Sequence, residues 1–289
     1  MILLYVLVTL YSGSALAQSQ VKFYYYSSPT TAVVQLEAIG IAAANIDNTR
    51  PLKIICHGAD ANINVDWYTP MISAYLNKGY QAIAVDWGEL ASSAEVVSSI
   101  NLVGNLIGTY IIAIQETFEF PLENIHFIGH SLGAHIGGYA GRLVRQVVGT
   151  NFARITGLDP GTDLTLNIFG RTVMTPSDAD FVDVIHTMAG TGGIGYSVGT
   201  ADFYPNGGAL QPNCLNILNL VCSHTRAPWL FIESINSSGF LSRRCDSWLN
   251  YALGLCNGNS VALMGDRCST SASGDYYLST NGNPPYAQG

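Results

Sequence analysis

The chain has 289 residues, 48% of them apolar and 11% charged, with a net charge of −8. That balance describes a well-buried globular chain and excludes a disordered one. With no basic run, it also excludes the electrostatic footprint of a nucleic-acid binder and purely electrostatic docking on an anionic lipid surface.

Ile2 to Leu10 is an apolar run too short to span a membrane, and Ala15-Leu16-Ala17 forms a small-x-small cleavage site. Residues 1–17 therefore read as a secretory signal, although basic residues near Met1 are missing, and the mature chain is expected to start at Gln18. No later uncharged apolar run has the flanks of a membrane helix, so no integral membrane segment is expected. Residues 18–289 fit one larger α/β domain.

Val21 to Tyr26 is aromatic and extended, which predicts a strand. Leu52 to Cys56 and Gln81 to Trp87 are short apolar runs, and between them Tyr68 to Lys78 has helical spacing at Met71, Tyr75 and Leu76. Ala94 to Phe118 repeats apolar residues every three or four positions, the period of a helix. Asn124 to Ile128 is another buried run, followed by a helix from Leu132 to Val148 with a face of small residues. Arg154 to Leu158 and Phe181 to Ile185 read as strands, Arg226 to Ile235 as the last clear helix, and Tyr276-Tyr277-Leu278 as a last strand or part of a loop-rich tail. The strands are continuously apolar and alternate with helices. This is the pattern of an α/β fold with a mostly parallel central sheet and helices on both faces.

Six cysteines in a chain bound for an oxidising compartment suggest disulfides. Cys214 with Cys222 and Cys245 with Cys256 are the local pairs, while Cys56 is open between a buried free thiol and a bridge to Cys268. Asn236-Ser237-Ser238 is a glycosylation sequon.

Chemistry concentrates at Gly129-His130-Ser131-Leu132-Gly133, a G-x-S-x-G run between an apolar strand and a helix. A bare run of this kind occurs by chance, but here its flanks match a nucleophile elbow. A serine hydroxyl needs a base to take its proton and a donor pair for the oxyanion. The Leu132 N–H, next after Ser131, is one such donor at the helix N-terminus. The loop Cys56-His57-Gly58-Ala59 follows an earlier strand and offers the Ala59 N–H as the second. On this fold the acid and the histidine follow the serine in that order. Of the later histidines, His135 falls within the elbow helix and His186 ends a strand, where a buried structural role is expected. His224 is expected on a loop before a helix, where catalytic groups are presented, and is the candidate base. Asp159 ends its strand, held extended by Pro160, and is the candidate acid. Asp183 lies inside its strand, and Asp178 and Asp180 read as turn residues.

These segments resemble the pancreatic lipase family. "KIICHG", "AVDWG", "NIHFIGHSLGAHIGGYAGR", "RITGLDP", "DADFVDVIHT", "DFYPNGG", "CSHTRAP" and "SSGF" occur in that family's order from about Val21 onward. The resemblance implies an α/β-hydrolase fold hydrolysing acylglycerol or phospholipid esters. It carries nucleophile, acid and base onto Ser131, Asp159 and His224, and the oxyanion donors onto Ala59 and Leu132. Insect members that consist of the lipase domain alone look closest. The chain ends at Gly289, so no appended lipid-binding sandwich and no colipase partnership is expected. Val173 and Thr175 stand where some relatives carry calcium ligands, so no metal is expected, and no cofactor.

By the same resemblance, the segment between Cys214 and Cys222 is the lid, and the Met188–Ala201 loop is shortened; in the family both shortenings accompany phospholipase A1 activity. Leu215, Ile217, Leu218, Leu220 and Val221 form an apolar tip, which either inserts into lipid or packs on its own domain. The expected function is a secreted serine hydrolase of glycerolipids at a lipid–water interface. The alternative is a lipid-binding protein on a lipase scaffold with little turnover.

Overall fold

A computed structural model of the protein describes residues 19–36, 41–162, 174–214 and 221–289. The expected signal segment, residues 1–17, lies outside them, as do Leu215, Ile217, Leu218 and Leu220 of the expected lid.

The elements in chain order are β1 (Lys22–Tyr26), β2 (Val34–Leu36), β3 (Leu52–Cys56), α1 (Tyr68–Leu76), β4 (Gln81–Asp86), α2 (Gly88–Ala91), α3 (Val96–Phe118), β5 (Ile125–His130), α4 (Leu132–Val148), β6 (Arg154–Leu158), β7 (Phe181–Ile185), β8 (Ala201–Pro205), α5 (Val221–Asn236), β9 (Leu241–Arg244), α6 (Trp248–Ala252), β10 (Val261–Leu263) and β11 (Gly274–Leu278). The strands join in one sheet of order β10-β9-β11-β8-β7-β6-β5-β3-β4-β1-β2. From β11 through β4 neighbouring strands are parallel. The flanking pairs β1–β4, β1–β2, β9–β11 and β9–β10 are antiparallel. This is the mostly parallel α/β-hydrolase sheet.

Continuous burial along β3, β5, β6 and β7 follows from cover on both faces. Within β3, Ile54 and Cys56 enter one apolar layer with α3 and α4, while Ile55 enters the opposite layer with α1 and α5. Helix α3 is long and apolar enough to cross a membrane, but Ile100, Val103, Ile107, Ile111 and Ile114 are buried in the first layer. Its approach to α4 depends on Gly104, where a β-carbon would lie 2.4 Å from Tyr139 Cβ and 2.8 Å from the Ile136 carbonyl oxygen.

Elements absent from the pattern reading are β2, α2, β8, β9, β10 and α6. Their signal is broken for physical reasons: β8 carries a buried Asp202, and β9 and β10 lie at the sheet edge, half in solvent. Cys214–Cys222 and Cys245–Cys256 are disulfides, whereas Cys56 and Cys268 are buried free thiols. Burial pushes the Cys268 thiol up to about 12, so it stays protonated and inert at neutral pH.

Candidate active site

Strand β5 lies beside β3, and the chain reaches β4 on the far side of β3 before returning to β5. The crevice beyond the carboxyl ends of β3 and β5 is thus where the winding reverses, the place where open α/β sheets present chemistry. Ser131 sits there, between the end of β5 and the first residue of α4, with φ +56° and ψ −125°. Such a backbone costs a non-glycine residue on the order of 1–3 kcal/mol. The surroundings enforce it. Ser131 N–H donates to the Leu158 carbonyl at 3.0 Å, and Ala134 N–H to the Ser131 carbonyl at 3.1 Å. The flanking glycines are required by close approach: a β-carbon on Gly129 would lie 2.3 Å from the Gly133 carbonyl oxygen, and one on Gly133 2.6 Å from the carbonyl oxygens of Cys56 and His57.

The loop after β3 closes on the serine. A β-carbon on Gly58 would lie 2.5 Å from Ser131 Cβ and 3.1 Å from Ser131 Oγ, so only glycine lets residues 57–59 come this near. His57 shapes the loop from inside. Its Nε2 accepts from Trp87 N–H at 3.2 Å, its Nδ1 therefore carries the hydrogen given to the Gly58 carbonyl at 2.9 Å, and its ring stacks on Trp87. Ala59, half-buried, follows directly, and Leu132 opens α4 with an N–H that has no partner within the helix.

Asp159 follows the last residue of β6 and is wholly buried. Its Oδ1 accepts from the N–H groups of Thr187 and Met188 at 2.8 and 3.0 Å, and its Oδ2 from His224 Nδ1 at 2.5 Å. The acid is fixed by backbone donors on one oxygen and orients the imidazole with the other. Gly193 makes room: a β-carbon there would lie 2.5 Å from Asp159 Oδ1.

The structure corrects the expected setting of His224. It stands in the first turn of α5, which starts at Val221 and not near Arg226. Residues 222–225 have modest helix propensity, but the Cys214–Cys222 bridge and the His224–Asp159 contact hold the turn in place. The His224 ring lies 4.6 Å from that of His130, the residue preceding Ser131. Among the described residues neither Ser131 Oγ nor His224 Nε2 is hydrogen-bonded, to the other or to any further group.

The competing histidines and acids are committed elsewhere. His135 is buried and reaches the Gly161 carbonyl and Met174 N–H. His186 bonds Asp202 and the Ile194 carbonyl. Asp183 makes a two-pronged ion pair with Arg154, and Asp178 pairs with Arg142. No cluster of three metal-ligating side chains exists among the described residues. Of the lid tip only Val221 is described, and it is 59% exposed. His130 is the residue whose part the sequence did not show. Its Nε2–H donates to the His224 carbonyl at 3.1 Å, and burial together with the neighbouring His224 holds its pKa well below the usual histidine value.

Residues 11–286 match the lipase family. The chain belongs to the lipase family. Relatives include rat lipoprotein lipase, 32% identical over 86% of this chain and 59% of that protein. Phospholipase A1 of the hornet Vespa crabro is 33% identical over 82% of this chain and 83% of its own length. Pancreatic triacylglycerol lipase of Myocastor coypus is 32% identical over 78% of this chain and 54% of that protein. This lipase-family chain thus spans little more than half the length of the vertebrate relatives and most of the length of the hornet one.

Proposed function

We propose that this protein is a secreted serine hydrolase releasing fatty acids from glycerolipids, with Ser131, His224 and Asp159 as its triad. The observation that carries the reading is the Asp159–His224 contact, at 2.5 Å, beside a serine in a strained strand-to-helix turn.

Ser131 Oγ attacks the ester carbonyl while His224 Nε2 takes its proton. Asp159 keeps the hydrogen on Nδ1 and stabilises the imidazolium without taking the proton. The Ala59 and Leu132 N–H groups receive the oxyanion, worth about 3–4 kcal/mol per donor in comparable sites. His224 then protonates the departing alcohol, and water, activated by the same imidazole, clears the acyl-enzyme. The Ser131–His224 hydrogen bond forms with substrate bound, as it often does only in the Michaelis complex.

Phospholipid sn-1 esters are the favoured substrates. The supporting observation is the bridge between Cys214 and Cys222, eight positions apart, which leaves too short a segment to cover a large apolar cleft. Similarity across most of the hornet phospholipase A1 points the same way. The two disulfides are consistent with secretion, as is the expected signal at residues 1–17. Purified protein offered phosphatidylcholine and long-chain triglyceride should release acyl chains chiefly from the first. Strong activity on triglyceride alone would overturn the phospholipid preference, and activity surviving Ser131→Ala would overturn the triad.

A further inference from the structure

The first turn of α5 contains a vacancy written into the sequence. In an α-helix the N–H of residue i donates to the carbonyl of residue i−4. Pro228 lies inside α5, has no N–H, and stands four residues after His224. The His224 carbonyl therefore has no helical donor from that position, and the proline ring presses against it. That carbonyl is part-buried and must take a donor from outside the helix or from solvent. His130 fills the position: its Nε2–H reaches the His224 carbonyl at 3.1 Å, across 94 residues of chain. The imidazole is itself clamped, with the His224 ring tilted against it at 4.6 Å and the edge of the buried Trp67 at 5.7 Å.

We propose that His130 is a positioning residue for the base: it holds the backbone of His224 through the carbonyl that Pro228 leaves open. Asp159 fixes the ring of His224 from one end, and His130 fixes its main chain from the other. Because His130 immediately precedes Ser131, the same contact sets the distance between nucleophile and base. Burial keeps His130 neutral, so it can donate without adding a second positive charge beside the imidazolium that forms on His224.

The inference rests on the hydrolase reading for its effect on rate, but not for the contact itself. The test compares His130→Phe, His130→Gln, Pro228→Ala and the double variant His130→Phe/Pro228→Ala. Turnover of a soluble short-chain ester and amide hydrogen exchange across residues 221–228 would be followed in each. His130→Phe should lower kcat about 100-fold with KM changed less than about threefold, the size expected for a misplacement near 1 Å. His130→Gln keeps a donor at similar reach and should recover most of that loss. Pro228→Ala supplies the missing helical N–H, so the double variant should be at least about tenfold faster than His130→Phe, and its amide exchange should slow again. A double variant no faster and no better protected than His130→Phe overturns the proposal. So does a His130→Phe protein with wild-type turnover and exchange. If no variant, nor the wild type, cleaves any ester, the hydrolase reading fails, while the exchange pattern still decides whether His130 holds this turn.

Discussion

Two of the histidine–aspartate pairs among the described residues lie a few strands apart, and only one leaves a ring nitrogen open. His224 and Asp159 meet at 2.5 Å, and His186 and Asp202 at 2.8 Å. His186 is fully buried, its second ring nitrogen is bonded to the Ile194 carbonyl, and its ring stacks on Tyr204 at 4.4 Å. The His224 side chain is 16% exposed, and its Nε2 has no partner among the described residues. Asp202 also accepts from the N–H groups of Val198 and Gly199, so the sealed pair pins a loop, as a structural pair should. A base is distinguished less by its carboxylate than by the ring nitrogen left open on the far side.

The largest effect separating the two pairs is on rate. His224→Ala should lower kcat by about 10,000-fold or more, with a smaller loss of stability than at the sealed pair, because Asp159 keeps the Thr187 and Met188 N–H donors on its other oxygen. Esterase kinetics beside a melting curve check both halves. Asp202→Asn should do the reverse. Leaving His186 without its charged partner should cost about 3–5 kcal/mol of stability, read by urea titration, while kcat per folded molecule stays within about threefold.

A third buried network sharpens the contrast through pH. Lys53 contacts His126 Nδ1 at 3.0 Å, His126 reaches Thr156, and Thr156 donates to Asp183. Burial lowers the Lys53 pKa to about 8, partly opposed by Asp266. The unfolded chain holds that proton up to about pH 10.4. Between about pH 8 and 10.4 the unfolded state therefore binds more protons, and stability should rise with pH by about 3 kcal/mol. Below about pH 8 the cost of burying the ammonium is present in full. Urea midpoints of wild type and Lys53→Met across this window should differ in slope by that contribution, and parallel curves would contradict it.

The legible parts of the sequence were those with local causes. The elbow could be read because glycine, serine and glycine sit between an apolar strand and a helix, and Asp159 because Pro160 stops its strand. The parallel sheet followed from runs such as Leu52 to Cys56 that are apolar on both faces. Chain order made His224 the candidate base, but its helical setting was not legible, because a disulfide and a distant carboxylate hold that turn. His186 and Asp202 could not be paired, since Asp202 lies on a strand that its own charge disguised. The part played by His130 depends on a carbonyl in a distant helix. Pro228, four residues beyond His224, was the sole mark of it in the sequence. The free thiols of Cys56 and Cys268 likewise depend on which side chains the fold brings together.

The most direct test of the central claim is covalent labelling with a fluorophosphonate probe, with the modified residue mapped by mass spectrometry. The geometry predicts one adduct, on Ser131, forming rapidly in the wild type and at least about 1,000-fold more slowly in His224→Ala. An adduct elsewhere, none at all, or labelling of Ser131 at an undiminished rate without His224 would contradict it.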